Sequence, residues 1–176
     1  MATVQRLGDE HGNPDIEAAP GLLVHHEVIV ETEAGEGDIP YAATVKIRPR
    51  NGVYVVAELT VRQGEDGPPI QRGELAKFTL ENSLRIAADS ARRVTPNGLV
   101  DPHVRDEFFD RIKSDGLADD DLPELAYAYR WIRLQEGRPT TLLADEFGVT
   151  TATVKRWLGK AVAAGHLTQD ERAKAR

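Results

Sequence analysis

Cysteine is absent from the 176-residue chain, which excludes disulfides, thiolate zinc sites and cysteine nucleophiles and leaves any metal to histidine and carboxylates. No apolar run approaches the roughly 18 residues that a membrane span needs. The first residues, MATVQRLGDEHGNPD, lack both the cationic start and the apolar stretch of a secretory signal, so residence in the cytoplasm without membrane contact is expected. HExxH, GxSxG and a glycine-rich phosphate loop are all missing. His25 and His26 are adjacent in a strand-like run, so their side chains leave opposite faces and do not converge on one ion. His11, His103 and His166 fall in a leader, at a boundary and at a helix end. The run Asp119, Asp120, Asp121 lacks the spaced ligands of a cation loop and reads as solvated acid. With no converging acid, base and nucleophile, neither an enzyme nor a metal or cofactor site is expected.

What is present is enough apolar residue for a core, 40% of the chain, and an uneven charge. Residues 1–100 carry 10 Lys and Arg against 15 Asp and Glu, residues 101–124 carry 3 against 9, and residues 125–176 carry 9 against 5. Only the last third is basic. That is the arrangement expected when one end faces phosphates while the rest stays soluble.

Taken in order, residues 1–20 are polar and interrupted by Gly8, Gly12, Pro14 and Pro20, the composition of a flexible leader. Residues 22–33, 41–48 and 53–62 alternate as half-buried strands, the last two joined by Asn51-Gly52, a pair suited to a tight hairpin. Residues 74–93 carry Leu75, Phe78, Leu84, Ala87, Ala88 and Ala91 on a helical stripe. Laid on a three-stranded antiparallel sheet, that helix gives a small α+β unit over residues 21–95. So few elements bury little, and a second copy is expected to complete the unit as a homodimer. Residues 96–121 read as an acidic linker with a short helix over 104–113. Residues 122–135 form a further helix, and residues 168–176 a polar tail. The fold class is therefore α+β: sheet and helix first, an all-α three-helix domain over 122–167 last.

The most specific segment is 140–160, TTLLADEFGVTTATVKRWLGK. Leu143 and Phe147, then Val154, Trp157 and Ala161, have the spacing of two short amphipathic helices. Gly148 between them suits a left-handed C′ position, Thr150 and Thr140 are placed to cap the two helix starts, and Ala144 is small enough for a close crossing. A small residue, a glycine four later, an aliphatic residue and a threonine-led helix with Val154 and Trp157 inward: over residues 139–167 this resembles the helix-turn-helix of bacterial transcriptional regulators. It is also similar to the C-terminal module of small proteins from high-GC genomes, in which such a segment follows a strand-rich domain.

The resemblance implies a second helix lying in the major groove of double-stranded DNA. Thr151, Ala152, Lys155 and Arg156 would then meet base edges, because Val154, Trp157 and Leu158 are taken by packing. Arg138, Thr140, Thr141 and Lys160 would contact phosphate, assisted by Arg130 or Arg133 and by the tail cations Arg172, Lys174 and Arg176. Sequence-specific binding as a homodimer, in transcriptional regulation, is the expected function. The alternative is a protein-interaction or assembly module, such as a component of a complex or a mobile-element particle, using the same helices without DNA.

Overall fold

Asn51 and Gly52 hold φ of +54° and +76°, the left-handed pair that a two-residue hairpin turn demands. The two longest strands run from it, β5 over Ala42–Arg50 and β6 over Val53–Arg62. The computed structural model describes residues 3–35, 39–100, 103–104, 106–135 and 138–173. Four shorter strands precede or flank the hairpin: β1 (Thr3–Leu7), β2 (Ile16–Ala19), β3 (Leu22–Val24) and β4 (Glu27–Thr32). Beyond it lie β7 (Arg92–Thr95) and β8 (Gly98–Val100). They form two antiparallel sheets, of order β1-β4-β5-β6 and β2-β3-β7-β8.

Seven helices complete the mixed α+β fold among the described residues: α1 (Arg72–Leu75), α2 (Glu81–Asp89), α3 (Asp106–Asp115), α4 (Leu122–Gln135), α5 (Pro139–Phe147), α6 (Thr151–Ala163) and α7 (Gln169–Ala173). Val28, Val30, Val45 and Ile47 turn one face of the first sheet inward and are at most 2% exposed, as period-two alternation requires. Helix α4 is different: Leu125, Ala126, Tyr127, Ala128 and Tyr129 are consecutive and all buried. A helix buried on successive residues is covered on every side. It contacts α2, β3 and β6 as well as α5 and α6, and one continuous apolar cluster extends from Leu22 to Leu167.

Several expectations are corrected here. Residues 1–20 contain two strands: β1 pairs with β4 after the Asp9 carboxylate has turned the chain by accepting the backbone N–H groups of His11 and Asn13. An edge strand needs only backbone partners, so its side chains need not alternate. The run 22–33 breaks at His25-His26 and feeds both sheets. Within 74–93 the single helix is replaced by α1, α2 and the start of β7, because Arg92 and Arg93 pair with Leu23 and Leu22. Pro96-Asn97-Gly98 is the turn of the β7–β8 hairpin, not a boundary, with Thr95 Oγ1 donating to the Gly98 carbonyl. The short helix expected over 104–113 is α3, whose Phe109 and Ile112 join the core, and in the stretch read as solvated acid Asp121 is buried while Asp119 and Asp120 are exposed. The polar tail forms α7 up to residue 173; Lys174 and Arg176 lie outside the described residues.

Candidate nucleic-acid interface

Arg138 is the N-cap of α5 and Pro139 its first residue, with no side-chain cap hydrogen bond. Proline fits there because its missing N–H would be unpaired anyway and its φ is already helical. Thr140 is thus inside the helix and is not its cap, contrary to expectation. At the other end Gly148 has φ +65°; its N–H bonds the Asp145 carbonyl while Val149 N–H bonds that of Ala144, 2.9 Å away. This paired closure is a Schellman end. Thr150 then caps α6, its hydroxyl accepting the Thr153 N–H at 3.2 Å. The hairpin of helices is thereby set by local chemistry at both of its inner ends.

Packing fixes its angle. Ala144 is 3% exposed, and Phe147 meets Trp157 edge-on at 5.6 Å between ring centres. Phe109 and Phe108 of α3 close on Phe147 from a third element, at 5.2 and 5.9 Å. Tilted and edge-on aromatic contacts of this kind add to the burial they come with. Val154, Trp157, Leu158 and Ala161 are the buried face of α6.

The opposite face carries the expected contact residues. Thr151, Ala152, Lys155 and Arg156 are all exposed, and their spacing of four sets Thr151 beside Lys155 and Ala152 beside Arg156. Neither Lys155 nor Arg156 forms an ion pair among the described residues. Arg138 and Thr141 are exposed at the start of α5, Thr140 half-buried. Lys160 reaches Asp119 at 3.3 Å, with both side chains more than half exposed, a surface pair of little strength.

Arg130 and Arg133 do not belong to this face. Arg133 is 5% exposed and donates to the backbone carbonyls of Glu171 and Asn51, whereas Arg130 is held by the Glu171 carboxylate at 2.6 Å. Burial opposes ionisation of Glu171, but the Arg130 and Thr168 hydrogen bonds outweigh it and hold the carboxyl below its usual range. The sequence signal for this clamp is Thr168-x-x-Glu171, which forms a reciprocal cap: Thr168 N–H to Glu171 Oε2 and Glu171 N–H to Thr168 Oγ1.

Other polar groups are dispersed. His25 is buried and His26 exposed beside Asp15, and among the described residues no group of three or more His, Asp or Glu is placed to hold a metal. An open cleft of about 1730 Å³ between α3, α4 and α5 is lined in part by Phe108, Trp131, Leu142 and Glu146. No helix among the described residues is long and apolar enough to cross a membrane. No protein-family model matches the chain, and neither a curated protein nor a solved structure is significantly similar to it.

Proposed function

We propose that the protein binds double-stranded DNA through α5 and α6 acting as a helix-turn-helix, and that it regulates transcription as a homodimer. The observation that carries this reading is the exposed quartet Thr151, Ala152, Lys155 and Arg156 on a helix whose other face is locked into an aromatic core. Two uncommitted cations beside two short side chains have the reach that major-groove edges require: Arg156 for guanine O6 and N7, Lys155 for guanine or phosphate, Thr151 and Ala152 for a thymine methyl. Arg138, Thr140 and Thr141 stand at the start of α5, which no side chain caps and where the helix dipole favours phosphate. Lys160 binds phosphate by exchanging it for Asp119. The resemblance of residues 139–167 to bacterial regulators points the same way, as does the basic last third of the chain.

The test is selection of bound genomic fragments followed by titration of the selected site. Arg156→Ala should cost about 1 to 3 kcal/mol and relax one base position, while Lys160→Ala should weaken all sequences alike. Equal losses from both on every sequence would refute that division of labour. Affinity should also fall steeply with salt. A second reading is favoured by the sparseness of the basic face, since Arg130 and Arg133 are taken by Glu171 and by backbone carbonyls: the three helices would then bind another protein. Absence of any complex with DNA at low salt would select it.

A further inference from the structure

Among the described residues strand β6 is an edge of its sheet, paired with β5 alone, and its two halves differ. Lys46 pairs with Glu58 and Ile47 with Val56, so Ala57 is an extra residue that kinks the strand. Before the bulge, Tyr54 is buried and α2 and α4 lie against the strand. After it, residues 58–62 pair regularly with β5, with Glu58, Leu59 and Arg62 exposed and Thr60 and Val61 partly so. Leu59, paired with the buried Val45, is nevertheless 44% exposed. The inner face of the sheet therefore runs out at this edge with apolar groups still in water.

We infer that residues 58–62 of β6 pair with the same residues of a second copy, antiparallel about Thr60, joining two four-stranded sheets into one. The inference deepens the proposed homodimer by naming its surface. A two-fold axis perpendicular to the sheet keeps each face with its own kind, so opposed residues lie at equal distances from the centre. Centred on Thr60, the register sets Leu59 across from Val61 of the second copy, inner face to inner face. It also sets Glu58 across from Arg62 of the second copy, twice, on the outer face. Opposite charges directly across an antiparallel pair are favourable and like charges unfavourable. Centring on Glu58 or on Arg62 opposes like charges, and centring on Leu59 brings Val61 against the bulged Ala57 and leaves Arg62 across from Val56. Thr60 is the one centre that satisfies both faces. Arg62 is exposed with no ion pair among the described residues, and Glu58 is half exposed although Lys46 touches it at 2.9 Å. Charges on an edge strand commonly prevent pairing; here their opposite signs on either side of Thr60 make the strand complementary to itself.

Charge exchange on the full chain tests this. The unmodified protein should sediment as a dimer at tens of micromolar by analytical ultracentrifugation. Glu58→Arg and Arg62→Glu should each raise the dimer dissociation constant by at least about tenfold, because each opposes like charges at two symmetric positions. The double exchange should recover the dimer. Circular dichroism of each variant verifies that it is folded, and Leu59→Lys, which leaves both charges in place, should also favour the monomer. A monomeric unmodified protein, single variants that stay dimeric, or a double variant that fails to recover would each overturn the inference. A monomer that still retards DNA removes the β6 interface and leaves the DNA reading intact, whereas a charge-dependent dimer that ignores DNA does the reverse.

Discussion

Asp121 closes a run of three acids, yet unlike Asp119 and Asp120 it is buried, at 8% exposure. The reason is Arg111 on α3, whose guanidinium donates to both carboxylate oxygens, together with the Ala118 N–H at 2.8 Å. The Arg111 hydrogen bonds hold the carboxyl below the usual aspartate range, against some desolvation. Because the folded pKa is lower than the unfolded one, ionised Asp121 stabilises the fold. That contribution is complete above about pH 4 and disappears as pH falls through the lower, folded value. Asp121→Asn keeps the shape and removes the charge, so it should lower the melting temperature by a few degrees at pH 7. The gap between the two proteins should narrow as pH falls below about 4. A gap that stays constant across that range would mean that the charge contributes nothing.

Helix α7 has five residues, too few to persist in water on propensity alone. Its existence depends on Glu171, whose carboxylate accepts from Arg130 and from the Thr168 N–H, while its backbone carbonyl accepts from Arg133 and Tyr129. Arg130 is 11% and Glu171 14% exposed in their side chains. Glu171→Ala leaves the Arg130 guanidinium with the His166 carbonyl but no counter-charge, and the loss should be about 3 kcal/mol, the low end for removing one partner of a buried pair. Urea unfolding read by tryptophan fluorescence measures it; a change within about 0.5 kcal/mol, the usual range for a surface substitution, would show that the clamp is idle. The clamp also marks where sequence reading stops. The turn at Gly148, the Thr150 cap and the buried face of α6 are written in residues at most a few positions apart, and so was the Asn51-Gly52 hairpin. Whether a cation at position 130 points to water or to a carboxylate 41 residues later is not a local property. Strand β1 was hidden for a similar reason, since its partner β4 and not its own pattern makes it a strand.

At the scale of the molecule, composition divides the chain into an acidic part and a basic part, but packing does not follow that division. Helix α4 buries Leu125, Ala126, Tyr127, Ala128 and Tyr129 in succession, so no face of it is left to be the outside of a free three-helix domain. Arg133 adds a polar tie, reaching the Asn51 carbonyl at the tip of the β5–β6 hairpin. An isolated 122–167 segment would expose the apolar groups that meet α2, β3 and β6. Sheet and helices should accordingly unfold together. Both tryptophans, Trp131 and Trp157, lie in the helical part, which makes the coupling measurable. Val28 in β4 is fully buried, and Val28→Ala should cost about 2 kcal/mol in transfer and cavity terms. In a single cooperative unit that loss shifts the tryptophan transition in urea by its full value, although no tryptophan lies in the sheet. Were the tryptophan midpoint to stay in place while hydrogen exchange of the β4 and β5 amides accelerates, the two parts would be independent, as the charge division alone suggests.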